Sequence, residues 1–148
     1  MRRVNSVAEM RNLGVELAAD LRAGDLLTLS GPLGAGKTAL TQGIGAGLGI
    51  SGITSPTFVI SKVYEGRLPL IHVDAYRLLG SARQGFEFDD LDIDTARDSA
   101  VTVIEWGSEI APRLSEEYLE INIEFAAAED ERLVSAIGHG ARWQGVVL

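Results

Sequence analysis

"LLTLSGPLGAGKTAL", Leu26 to Leu40, decides the fold. An apolar run long enough for a buried strand meets three glycines, Gly31, Gly34 and Gly36, and then presents Lys37, one of only two lysines in the chain. A strand that merely fills a core needs no such ending. A strand that delivers a polyphosphate to a helix start does. Gly31-x-x-x-x-Gly36-Lys37-Thr38 matches the Walker A pattern in the context its mechanism needs, strand before and helix after. Glycines let consecutive amides curl around phosphates without Cβ clashes, and the helix N-terminus adds partial positive charge. Lys37 would reach the β and γ phosphates, and the Thr38 hydroxyl would bind Mg²⁺. The plainer alternative, a Gly-rich turn with a stray lysine, does not account for that context. The expected ligand is a nucleoside triphosphate.

Ahead of this segment, Ser6-x-x-Glu9 reads as a capping box, the Ser6 hydroxyl accepting from the Glu9 amide and the Glu9 carboxylate reaching back to the cap. Val7, Met10, Leu13, Leu17 and Leu21 follow at helical spacing, and Gly24 offers a stop. Behind it, Thr38 to Leu48 reads as a helix ended by "GLGISG". "ITSPTFVISKVYEG" is β-branched and aromatic but interrupted by Pro56, which suits an extended segment or an edge strand. "LPLIHVD" and "AVTVIEW" are apolar runs that close on Asp74 and Glu105. "GFEFDDLDIDTARD" and "SEIAPRL" suggest short helices with loops. "YLEINIEFA" alternates as a strand with one wet face, and "ERLVSAIGHG" and "RWQGVVL" would follow it as hairpin strands. The expected class is α/β: a P-loop NTPase fold with a mostly parallel central sheet, flanking helices and an antiparallel C-terminal extension. At 148 residues the chain suits one domain, 1–148.

Composition narrows the function. Apolar residues at 46% and charged residues at 23% are ordinary for a soluble globular protein. No run approaches the roughly 20 apolar residues of a membrane span. Two N-terminal arginines lack an apolar segment behind them, so no secretory signal is read. The absence of cysteine excludes disulfides and thiolate metal sites and fits a cytoplasmic location. Thirteen basic against twenty-one acidic residues give a net charge of −8. Nucleic-acid binders carry a basic footprint, because phosphate neutralisation supplies most non-specific affinity. A role in nucleic-acid metabolism therefore implies that another protein holds the nucleic acid.

A P-loop enzyme also needs an acid near the metal and a group that orients the attacking water. Such an acid closes an apolar strand, at the carboxyl edge of the sheet where ligands sit. Asp74 and Glu105 both qualify. His72 shares the face of Asp74, and the ordinary reading of a lone histidine there is a packed, hydrogen-bonded core residue. Trp106 reads as core packing, with a wall of the site as the alternative. The acidic series Glu87, Asp89, Asp90, Asp92, Asp94 and Asp98 reads first as a solvated face and second as a docking surface for a basic partner. A GTPase would carry N-K-x-D and D-x-x-G, and an ABC-type ATPase L-S-G-G-Q; all are absent. A small-molecule kinase remains as the alternative, although "RLLGSARQG" is a poor arginine-rich lid.

"GPLGAGKT", "SPTF" (Ser55 to Phe58), "HVDAYRL" (His72 to Leu78) and "IEW" (Ile104 to Trp106) together resemble the TsaE family, also called YjeE, in order and spacing. The resemblance implies a cytoplasmic ATPase needed to form threonylcarbamoyladenosine in tRNAs that read codons beginning with A. Such a protein acts with TsaD, which transfers the group, and its scaffold partner TsaB. Contact with tRNA would be indirect, and none with a membrane is implied. Residue by residue, it implies that Gly34, Ala35, Gly36, Lys37 and Thr38 hold the phosphates of ATP, with Thr38 and Glu105 on Mg²⁺. Asp74 would orient or activate water, and Thr57 would sense the γ-phosphate. Ser6 and Arg132 would approach the base. Ala39 departs from the family's usual hydroxyl residue, though its amide can still meet the α-phosphate. Lys37 is expected to be solvated when no phosphate is held.

Overall fold

The apolar runs around the Walker segment become neighbouring strands. The computed structural model describes residues 1–55, 61–75 and 96–148. In chain order its elements are β1 (Arg2–Val4), α1 (Val7–Ala18), β2 (Leu26–Ser30), α2 (Lys37–Gly47), β3 (Ser61–Tyr64) and β4 (Leu70–Asp74). There follow β5 (Val101–Glu105), α3 (Ala111–Leu114), β6 (Tyr118–Phe125), β7 (Arg132–His139) and a 3₁₀ turn (Ala141–Trp143). The strands form one sheet in the order β1-β7-β6-β2-β5-β4-β3. β2 pairs in parallel with β5 and β6, and β4 with β5. The remaining pairs, β3 with β4, β6 with β7 and β1 with β7, are antiparallel.

This is the expected α/β class, and burial explains it. β2, β4 and β5 are covered on both faces, so they read as continuous apolar runs. Leu27, Leu29, Val103, Ile121 and Ile123 pack with Met10, Leu13, Leu40 and Ile44 of α1 and α2. Leu26, Ile71, Val73 and Ile104 pack the opposite face with Ile110 and Ala111. Each Leu, Ile, Val or Met side chain among them contributes about 1.5–3 kcal/mol when fully buried. The alternating strand also holds: Leu119, Ile121 and Ile123 are buried while Glu124 is exposed, although Phe125 at its end is exposed as well.

Several expectations are corrected. The capping box exists, with Ser6 Oγ accepting from Glu9 N at 3.0 Å. Its reciprocal arm reaches one residue further, however, because Glu9 Oε2 accepts from the Asn5 amide at 2.6 Å. α1 ends at Ala18, well before Gly24, where the amides of Ala19, Asp20 and Leu21 bond carbonyls three residues back and tighten the chain out of the helix; Gly24 instead turns the chain towards β2 and donates to Ala100 O. Val7 is exposed, and Gly14 and Ala18 share the buried face with Met10 and Leu13. α2 starts one residue earlier than expected, at Lys37. "RWQGVVL" is no strand. Its Trp143 tucks into the main core, and Arg142 donates through Nε and Nη2 to buried Asp25, which pulls the chain out of the hairpin. β1 leaves no sequence signature, since three residues carry no period.

Candidate functional site

The carboxyl ends of β2, β4 and β5 meet at the start of α2. Gly31 leaves β2 where an added Cβ would lie 2.4 Å from Ile123 O, so only glycine lets the loop depart there. Gly36 adopts φ +115° as the N-cap of α2. The two long helices then differ. The N-terminus of α1 is satisfied by Ser6 and acidified by Glu9; that of α2 has no side-chain cap and no acid in its first turn. Its amides and partial positive charge are left for an anion.

The strand register brings the two acids together. Asp74 lies opposite Glu105 in the parallel β4–β5 ladder, so both side chains emerge on one face at the sheet edge. A cleft of about 260 Å³ is lined by Gly34, Gly36, Lys37, Thr38, Ala39 and Leu33 on one side and by Ser55, Asp74, Glu105 and Trp106 on the other. A smaller hollow of about 60 Å³ lies beyond the same loop, against Ser6, Val7, Met10, Asp130 and Arg132. Gly34, Gly36 and Ala39 border both. Ser6 and Arg132, far apart in sequence, thus face one hollow. Thr57 lies outside the described residues, as does the acidic series apart from exposed Asp98.

Lys37 corrects the expectation of a solvated ammonium. It is buried, 5% exposed, and Nζ donates to Gly31 O at 2.8 Å and Pro32 O at 3.0 Å. It also lies 4.2 Å from the ring centre of Trp106, a cation–π contact. Burial pushes its pKa down, while the carboxylates of Glu105 and Asp74 oppose that shift. The loop thus supplies the acceptors that a buried cation demands.

Trp106 is the described non-glycine residue with positive φ, at +63°. Its amide donates to Leu29 O, keeping the edge of the sheet closed, and the turn sends its ring back over Lys37. Such a conformation costs on the order of 1–3 kcal/mol and clusters at functional sites. Trp106 is therefore a wall of the cleft, the alternative to core packing. Its place directly after a strand-closing acid is the signal for that role in the sequence.

Arg132 ties the β6–β7 hairpin to the loop. Nε donates to Ala35 O at 3.2 Å and Nη2 to Gly34 O at 3.4 Å, and its guanidinium lies 4.7 Å from the Phe125 ring centre. His72 is packed and hydrogen-bonded as expected, fully buried with Nε2 2.5 Å from Glu105 Oε2. A larger groove of about 520 Å³, between α1, Trp143 and the C-terminal residues, holds none of the Walker residues. Among the described residues no helix is long and apolar enough to cross a membrane.

The chain resembles known proteins in sequence and in fold. Residues 4–134 match the family model described as threonylcarbamoyl adenosine biosynthesis protein TsaE. A Streptomyces coelicolor protein named tRNA threonylcarbamoyladenosine biosynthesis protein TsaE is 49% identical over 141 residues, 90% of this chain and 93% of its own. A Bacillus subtilis protein of the same name is 42% identical over 130 residues, 86% of this chain and 78% of its own. The crystal structure of Bacillus subtilis YdiB superposes with a TM-score of 0.76 at 36% identity, covering 97% of this chain and 87% of that one.

Proposed function

The chain belongs to the TsaE family of threonylcarbamoyl adenosine biosynthesis proteins, and from that premise we propose that it is the subunit that binds and hydrolyses MgATP for this tRNA modification. One observation carries the reading: Lys37, Thr38, Asp74 and Glu105 converge on one cleft at an uncapped helix N-terminus. The donors suit the metal, since a threonine hydroxyl and carboxylates are the hard oxygen ligands Mg²⁺ takes. Thr38 and Glu105 would hold it, and when bound it would neutralise charge on the β and γ phosphates.

The chain's own residues do the rest. The loop amides from Gly34 to Ala39 cradle the phosphates. Lys37 exchanges the carbonyls of Gly31 and Pro32 for phosphate oxygens. Asp74 accepts a hydrogen bond from the attacking water and so orients it. The hollow by Ser6 and Arg132 takes the nucleoside end, because it opens on the other side of the same loop. Thr57, in "SPTF", reports the γ-phosphate to partners.

A net charge of −8 argues that the tRNA is held elsewhere, by TsaD with TsaB, with this subunit docked on them in the cytoplasm. Phosphate release measured with and without the TsaB–TsaD pair tests the reading. The expected result is slow hydrolysis alone and acceleration by the pair, with no tRNA shift by this chain alone at physiological salt. Full-speed hydrolysis alone or tight tRNA binding would overturn it. ADP formed only when a small acceptor is added would mark a kinase instead.

A further inference from the structure

The proposed chemistry leaves one buried polar side chain of the site without work. His72 lies on β4 two residues before Asp74, so both share a face of the strand, and it is fully buried. A core histidine kept for packing satisfies its ring nitrogens locally. Here Nδ1 is buried with no hydrogen-bond partner among the described residues. Nε2 meets Glu105 Oε2 at 2.5 Å, and Glu105 itself is only 4% exposed. The ring's polar contact is thus spent on the carboxylate proposed to hold Mg²⁺. A leucine would fill the space without burying an unpaired nitrogen, so packing alone does not explain an imidazole.

We infer that His72 is a positioning residue that acts through Glu105; the inference rests on the reading of Glu105 as a metal ligand. A carboxylate serving as a metal ligand is deprotonated and only accepts, so in that role Oε2 takes its hydrogen bond from Nε2. With Oε2 held, the Glu105 side chain cannot rotate away from the sheet edge, and its charge stays at the cleft beside Lys37. Outer-shell partners of this kind fix the orientation of metal-bound groups, and losing one typically weakens metal affinity about 10–100-fold. Among the described residues the polar contact of His72 is with Glu105 and not with the phosphate loop, so metal-free nucleotide binding should not depend on it.

The test is calorimetric titration of the full chain with ATP, in Mg²⁺ and in EDTA, for the wild type, His72→Phe and His72→Gln. The phenyl ring keeps the shape without the donor; the glutamine amide reaches about as far as Nε2. The Mg²⁺-dependent gain in affinity should fall about tenfold in His72→Phe, stay within about threefold of wild type in His72→Gln, and leave affinity in EDTA unchanged in both. An equal loss in EDTA and Mg²⁺ means a structural role and overturns the inference, as does an undiminished gain in His72→Phe. Should His72→Phe fail to fold, His72→Asn replaces it: its amide is one bond too short, so a gain equal to that of His72→Gln overturns the inference. A wild type with no Mg²⁺ gain removes the metal reading and this inference with it, whereas a wild-type gain that survives in His72→Phe removes this inference alone.

Discussion

Gly43→Ala should destabilise the protein although it improves helix propensity. Gly43 sits on the seam between α1 and α2, where an added Cβ would lie 2.0 Å from Arg11 O, 2.8 Å from Arg11 C and 2.9 Å from Arg11 Cα. All three atoms are backbone, so no side chain can swing aside, and α1 would have to retreat by about 1 Å to reach even a 3.0 Å contact. Overpacking of this kind costs about 1–3 kcal/mol, and the rigid obstacle favours the upper end. Replacing glycine inside a helix returns about 1 kcal/mol. The net loss is therefore about 2 kcal/mol, or a fall in Tm of roughly 4–8 °C for a chain of this size. Ala46→Gly, on the exposed side of the same helix, should lose about 1 kcal/mol through propensity alone. Denaturant melts followed by far-ultraviolet circular dichroism read both. Since the two substitutions run in opposite directions on propensity, a Gly43→Ala protein as stable as the wild type would refute the account of the seam.

Lys37→Ala should lower ATP affinity more than tenfold, since charge-assisted contacts to phosphate contribute about 1.5–3 kcal/mol each; a folded variant with unchanged affinity by calorimetry would sink the Walker assignment. Because Lys37 also bonds the Gly31 and Pro32 carbonyls, the same variant should lose order in the loop, seen as amide exchange accelerating from Gly31 to Gly36. Glu105→Gln should weaken Mg²⁺-dependent binding, while Asp74→Asn should keep MgATP and lose turnover; reversed phenotypes in binding and phosphate-release assays would exchange the two roles. Arg132→Ala should weaken ATP binding severalfold with little change in Mg²⁺ dependence, because it removes donors to Gly34 and Ala35 carbonyls on the side of the loop away from Asp74 and Glu105.

What could be read without a structure was local. The Walker segment, the Ser6 cap, the central strands and the two strand-closing acids each lie within one short contiguous stretch of chain, where spacing and residue type carry the physics. The class of sheet followed, because strands covered on both faces must be apolar throughout and strands with one wet face must alternate. Tertiary structure alone decided the rest. Register set Asp74 beside Glu105, and packing across 33 residues gave His72 its carboxylate. Arg132 found the loop carbonyls across 97 residues of chain. α1 stopped in a tightened last turn at Ala18 rather than at the glycine that sequence offered, and Lys37 was buried because the loop and Trp106 supply what a cation needs. Each of these depends on which surfaces meet, and a hydrogen-bond partner or a covering ring supplied from a distant strand leaves no period in the residues that receive it.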